Sequence, residues 1–163
     1  MASASLDFGI PVFKAALATR DPRLFDIDLY GTAAYGLATR RKTDHWAWMF
    51  QNIPAFPGHG RVAESIVFDL AANFGDMSTV SDIKVAVERK PELAVSASFA
   101  LSRIGGREAQ ETIENWLRDP ELSKREEKIA SGWVQGTERF SNLFKQALDR
   151  MKARTPASRS PRN

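Results

Sequence analysis

A pattern that returns every 31 to 33 residues constrains this sequence most strongly. Each copy contains an apolar stretch with helical spacing, a short break and a second amphipathic stretch. Leu37, Leu70, Leu101 and Val134 occupy corresponding positions, with separations of 33, 31 and 33 residues. Repetition with such a period is typical of stacked helical hairpins, because each hairpin buries its apolar face against its neighbours. The sequence therefore predicts an all-α protein, an α-solenoid of about four hairpins.

Proline, glycine and polar residues between the apolar stretches set the predicted boundaries. A short N-terminal capping helix is expected at 10–19, followed by hairpins at 24–53, 61–89, 93–117 and 123–151. In the last hairpin, the first helix is expected at 123–137. Within the second hairpin, Ser78 or Ser81 is expected to cap the second helix. The predicted solenoid domain thus covers 10–151, between a flexible N-terminus at 1–9 and a disordered basic tail at 152–163.

The third copy carries a family resemblance. Its sequence, PELAVSASFALSRIGGREAQETIENWLRD, has a proline-led first helix, an ALxxIGG close and a second helix ending in WLRD. It resembles a HEAT-like repeat of the short bacterial type that also occurs in phycobilin-lyase-related proteins. The other copies share the length and the apolar frame, so the resemblance extends over about residues 22–151. It implies an α-solenoid that binds proteins and carries over no catalytic residues.

The amino-acid composition excludes several classes of functional site. The chain has no cysteine, which excludes disulfides, thiolate metal sites and cysteine nucleophiles. His45 and His59 are the only histidines, too few for a histidine-rich metal site, so neither a metal nor a cofactor is expected. No stretch approaches the ~20 apolar residues of a membrane-spanning helix. The N-terminus also lacks the pattern of a secretory signal. We therefore expect a cytoplasmic protein without a membrane partner.

The segment TDHWAWMFQNIPAFPGHG concentrates aromatic residues and both histidines. Its helical spacing predicts a buried stripe of Trp46, Met49, Phe50 and Ile53. Trp48 falls on the opposite side, where it either packs against the next repeat or serves as an aromatic anchor for a partner.

The same segment holds no convincing catalytic pair. Asp44 and His45 are adjacent and point in different directions, so His45 is expected to be solvated, and His59 is expected at the surface. A nucleophile elbow and a phosphate-binding loop are also missing from the sequence. We therefore expect no enzymatic activity.

The net charge of +3 is unevenly distributed. Residues 1–149 hold 18 basic against 20 acidic side chains, whereas residues 150–163 contain five basic residues and no acidic one. An alternative function is therefore association with nucleic acid through the tail residues Arg154, Arg159 and Arg162. Glutamates at outward positions of the second helices, such as Glu108, predict an acidic ridge that would repel phosphate.

The favoured hypothesis is a protein-binding scaffold, an adaptor or an inhibitor, for example of the immunity type, without catalysis. Stacked repeats place equivalent outward positions in a row, so we expect the second helices to form the contact surface. The candidate partner-binding residues are Trp48, Gln51, Lys84, Glu88, Glu111, Glu114 and Arg118.

Overall fold

The computed structural model describes residues 10–18, 21, 23–40, 43–54, 60–131 and 134–154. The predicted N-terminus at 1–9 and residues 155–163 of the predicted tail lie outside these ranges. The helices are α1 (Ile10–Leu17), α2 (Ile27–Ala38), α3 (Thr43–Gln51), α4 (Gly60–Phe74), α5 (Met77–Arg89), α6 (Ala94–Ile104), α7 (Arg107–Arg118), α8 (Pro120–Ser123) and α9 (Phe140–Arg154). A single 3₁₀ turn in this part of the chain, Pro91–Leu93, precedes α6, and the strands are β1 (Glu126–Ser131) and β2 (Val134–Arg139).

The helices pack in two layers. The first contains α1, α2, α4, α6 and α9, each in contact with the next, and the second contains α3, α5 and α7 in the same order. The C-terminal helix α9 contacts both α6 and α7, and so reaches both layers at this end of the molecule. The prediction of a mainly helical fold is confirmed. Within the described ranges, no helix is both long and apolar enough to cross a membrane.

One continuous core lies between the layers. The stripe predicted for α3 is buried, as are the repeat positions Leu37 and Leu101. Among the residues that the structure describes, aromatic rings connect the layers at two places. Phe50 of α3 lies 5.1 Å from Phe68 of α4, measured between ring centroids. Trp116 of α7 lies 6.1 Å from Phe144 of α9.

Two glycines with positive φ turn the chain between α6 and α7, as the Gly105-Gly106 pair predicts. Their φ angles are 76° and 84°, values that side-chain-bearing residues rarely adopt. A Cβ atom at Gly106 would also lie 2.7 Å from the sulfur of Met77. The positive φ angles therefore favour glycine at both positions, and a Cβ atom at Gly106 would in addition have to displace the flexible end of Met77.

The start of α5 differs from the prediction. Asp76, rather than Ser78 or Ser81, is the N-cap. Its Oδ1 accepts a hydrogen bond from the backbone N–H of Ser78 at 2.9 Å, and the Asp76 N–H donates to Thr79 Oγ1 at 3.1 Å. An aspartate accepts these amide hydrogen bonds at least as well as a serine, and Thr79 completes a capping box.

The prediction of a helix at 123–137 is wrong, because most of this segment forms a β-hairpin. Strands β1 and β2 pair antiparallel, in a register that runs from Glu126 with Arg139 to Ser131 with Val134. A helix would have to contain Gly132 and Gly136, each costing about 1 kcal/mol relative to alanine. The β-branched residues of the segment favour strands instead. The last predicted hairpin therefore contributes only its second helix, α9.

Helix α9 itself extends beyond its predicted end. Its last residue is Arg154, three residues after Met151. Residues 152–154 therefore belong to the helix and not to the tail. The hairpin before it is linked to the helical body through Arg61 of α4, whose Nη2 lies 2.6 Å from Glu127 Oε1.

Candidate functional site

A groove lies between α3 and α5, on the layer formed by the second helices. Its cavity volume is about 250 Å³. Side chains from both helices line it, apolar ones at Ala47, Phe50, Val85 and Ala86 and polar ones at Gln51, Asp82, Arg89 and Lys90. Val85 is 40% exposed. The groove therefore presents apolar surface beside charges of both signs.

Small side chains explain why a recess remains where two packed helices meet. The two helices are held together by buried residues such as Met49 and Ile83. At the groove, in contrast, Ala47 of α3 and Ala86 of α5 both line the cavity. Two alanines leave space that longer side chains would fill.

The charges of the groove are one acid and two bases. Partial burial raises the pKa of Asp82 above its usual value, since desolvation disfavours the charged carboxylate. Lys90 Nζ lies 3.5 Å from the carbonyl oxygen of Ile53, to which it donates a hydrogen bond. With Arg89 beside it, this end of the groove is positive.

The predicted partner-binding residues are only partly brought together. Gln51 lines the groove and is exposed. Glu88 is exposed on α5 but does not line the cavity. Lys84 reaches the neighbouring helix, where its Nζ lies 3.9 Å from Glu108 Oε1. These two α5 residues therefore belong to the same layer as the groove without forming its wall.

The residues predicted on α7 are engaged within their own helix. Arg107 Nε lies 2.6 Å from Glu111 Oε1, and Arg118 Nη2 lies 3.3 Å from Glu114 Oε2. Each predicted acidic position thus has an arginine four residues away along the helix. The expected acidic ridge is therefore largely compensated by basic partners.

Trp48 does not line the groove. It is half-buried and packed against the core, and the Lys14 ammonium of α1 lies 5.4 Å from the centroid of its ring. The structure thus favours the packing alternative for this residue, although the contacting charge comes from α1 rather than from the next repeat.

The expectation of a solvated His45 is wrong, because this residue is buried. It shares a face of α3 with Met49, one helical turn later, and that face is turned toward the core. The Asp44 side chain and the whole of His59 lie outside the described residues. In the part of the chain that the structure describes, no group of three or more histidine, cysteine or acidic residues is placed to hold a metal ion.

Sequence reasoning missed the residue that gives the groove its exposed apolar surface. Val85 lies away from Val80, Ile83 and Val87, the buried stripe of α5. A large apolar residue on the polar side of an amphipathic helix is the signal that identifies it.

A buried carboxylate at Glu64 is the other feature without a sequence prediction. Glu64 of α4 is 5% exposed, and Ser96 Oγ of α6 donates a hydrogen bond to its Oε1 at 2.5 Å. Burial raises the pKa of Glu64.

The groove thus combines exposed apolar area with flanking charges of both signs. A recess of this kind accepts an apolar side chain and orients it by contacts at the rim. No protein-family model matches this sequence, and neither the curated proteins nor the solved structures contain a match to it.

Proposed function

We propose that this protein binds another protein, as an adaptor or inhibitor without catalysis of its own, through the surface formed by α3 and α5. The two-layer packing is interpreted as a HEAT-like solenoid with hairpins α2–α3, α4–α5 and α6–α7. Consecutive contacts along each layer support this interpretation, because stacking repeats produce such contacts.

The observation that carries the proposal is the apolar recess between the second helices. Val85 is 40% exposed, and the cavity beside it is lined by Phe50 and two alanines. Transfer of one large apolar side chain from water into such a recess contributes about 1.5–3 kcal/mol. An anchor of this kind is sufficient to position a partner segment.

The rim defines what kind of segment fits best. Arg89 and Lys90 together exceed the single charge of Asp82, so the end of the groove that they form attracts a carboxylate. The expected partner segment therefore presents one large apolar side chain with an acidic residue close to it. Electrostatic complementarity at the rim would mainly affect specificity and association rate.

The test compares two substitutions of the same residue type. Val85→Asp places a charge in the groove, whereas Val62→Asp places one on α4, where Val62 is 46% exposed and outside the groove. Peptides selected from a displayed random library against the wild-type protein supply a defined probe. We expect Val85→Asp to weaken their binding at least about tenfold, and Val62→Asp to leave it unchanged.

Affinity capture from the host extends the test to the natural partner. The same protein should be captured by the wild type and by Val62→Asp, and be lost with Val85→Asp. Equal capture or equal peptide affinity for both variants would refute the groove as the binding site.

A further inference from the structure

We infer that the protein has a second binding site, for phosphate groups, in an arginine-lined cavity where α6, α7 and α9 meet. The cavity has a volume of about 470 Å³, within the range of about 300–1,000 Å³ that is usual for small-molecule sites. Arg103, Arg107 and Arg154 line it, and none of the described residues lining it is acidic. It shares no residue with the groove between α3 and α5, so it is independent of the proposed function.

The three arginines converge from separate helices. Arg103 lies in the last turn of α6, Arg107 is the first residue of α7, and Arg154 is the last residue of α9. Arg103 and Arg107 are four residues apart, on either side of the Gly105-Gly106 turn, whereas Arg154 is distant in sequence and lines the same cavity only through the fold. Sequence analysis assigned Arg154 to a basic tail, whereas it forms part of the cavity wall.

Hydrogen bonds hold two of the guanidinium groups. Arg103 Nη2 donates to Asn73 Oδ1 of α4 at 2.8 Å, and Arg107 Nε donates to Glu111 Oε1 at 2.6 Å. Each of these bonds uses one nitrogen of a group that carries five N–H donors. Guanidinium groups present paired donors that match the oxygens of a phosphate.

A neighbouring cavity extends the positive surface. It has a volume of about 210 Å³ and shares Arg103 with the first cavity. It adds Arg150, whose guanidinium carbon lies 4.7 Å from the centroid of the Phe99 ring. Asp69 is the one acidic residue among its described lining residues.

Two carboxylates on α7 lie near the cavity, and each is paired with a basic side chain. Glu108 lies 3.9 Å from Lys84 of α5, and Glu111 neutralises only Arg107. Four arginines in two adjoining cavities thus face few acidic partners, which leaves a positive potential that attracts anions. This array of arginines fits a ligand in which phosphate groups are linked in a chain, so that it carries two or more negative charges.

Such groups come from two sources, a small di- or polyphosphate or the backbone of a nucleic-acid strand. The probes that distinguish them are pyrophosphate, followed by calorimetry, and a short fluorescent single-stranded oligonucleotide, followed by polarisation. The test variant is Arg103→Gln/Arg107→Gln/Arg154→Gln. A control with the same loss of charge is Arg23→Gln/Arg118→Gln/Lys124→Gln, at exposed positions outside both cavities.

We expect at least one probe to bind the wild type and the control, and to bind the test variant about tenfold or more weakly. Binding of pyrophosphate alone would identify a small ligand. Binding of the oligonucleotide alone, with a steep dependence on salt, would identify a strand. Glu111→Gln, which removes the charge that competes for Arg107, should strengthen binding.

Three results would overturn the inference. The first is that neither probe binds the wild type. The second is that the control variant loses as much affinity as the test variant. The third is that a polyglutamate peptide competes as well as the phosphate probe, since this would indicate general attraction of anions without recognition of phosphate.

Discussion

At the scale of single residues, Glu64 is the side chain whose environment is most unusual for its chemistry. Burial raises the pKa of this carboxyl, while the hydrogen bond from Ser96 and the charge of Arg61 lower it and the nearby charges of Glu127 and Glu92 raise it further. The net direction is upward, so desolvation outweighs the stabilising partners. Arg61 is also shared, since it contacts Glu127 at 2.6 Å but Glu64 only at 3.5 Å.

This raised pKa predicts a pH dependence of stability. The folded state binds the proton of Glu64 more tightly than the unfolded state, so this contribution is present below the ordinary pKa of 4.5 and is lost as the pH rises through the higher folded value. Glu64→Gln has no such titration. We expect the unfolding free energy of the variant, relative to wild type, to increase as the pH rises through this window.

Urea unfolding at a series of pH values measures the effect. The ion pair with Arg61 is part of the titration of Glu64, because it requires the charged carboxylate. Differences in packing between glutamine and the protonated carboxyl add an offset that does not vary with pH, so the change in the difference with pH is the informative quantity. A constant difference for Glu64→Gln would contradict the assignment.

The behaviour of individual residues shows why some were predictable. Met49 and Phe50 are buried as their spacing predicts, because helical periodicity depends only on nearby sequence. Glu64 is buried where it accepts a hydrogen bond from a serine 32 residues later in the chain, and no local pattern contains that information. The arginine cavity is of the same kind with respect to Arg154, which comes from α9 and lies far in sequence from Arg103 and Arg107.

At the scale of elements, the starts of α2, α5 and α8 are capped by aspartates that local sequence could have revealed. Asp26, Asp76 and Asp119 each accept backbone N–H hydrogen bonds in the first turn of the following helix. At the start of α5, a threonine follows the N-cap aspartate after three residues, and the side chain of this residue, Thr79, accepts a hydrogen bond from the N-cap backbone N–H. The prediction of a serine cap failed because it considered the residue type without this pairing.

The cap of α5 supports a quantitative prediction. Asp76→Ala leaves backbone N–H groups of the first turn without this acceptor, and should lower the unfolding free energy by about 1 kcal/mol. Asp149→Ala makes the same change at an exposed position inside α9, and should alter it by no more than about 0.5 kcal/mol. Chemical denaturation of both variants tests the difference. Equal values for the two would mean that the Asp76 side chain does not stabilise the helix start.

The β-hairpin marks the limit of prediction from repeat spacing. Val134 follows Leu101 by 33 residues, as a fourth copy would require, yet it lies in a strand. Spacing identifies equivalent positions only where local propensity also permits a helix. Here the glycines disfavour a helix and the β-branched residues favour strands, and the adjacent strands pair with each other without distant partners.

At the scale of the whole molecule, α9 determines how the helical stack ends. It packs on α6 in one layer and on α7 in the other, so it covers apolar surface that a further repeat would otherwise bury. This role could be anticipated from the regular apolar stripe of α9. The sequence could not predict that α9 covers both layers, because this depends on the last hairpin lacking its first helix.

Phe144 is the residue on which this closure depends most. It is fully buried, and its ring centroid lies 6.1 Å from that of Trp116 on α7 and 5.9 Å from that of Phe140. Phe144→Ala removes these contacts and leaves a cavity between the layers, which should lower the unfolding free energy by about 3–5 kcal/mol. This is a large part of the total of about 5–15 kcal/mol that is usual for a domain.

Denaturant titration of Phe144→Ala, beside a control in α2, tests this prediction. Leu29→Ala also removes a large apolar side chain, but Leu29 is 56% exposed. The unfolding free energy of this variant should therefore differ from that of the wild type by less than about 1 kcal/mol. Because one core joins both layers, the loss of the Phe144 side chain should destabilise the whole molecule. The variant should therefore unfold in a single transition with a lower midpoint. A loss as small as that of the control would mean that α9 is not packed into the core. An early separate transition would mean that α9 unfolds independently of the other helices.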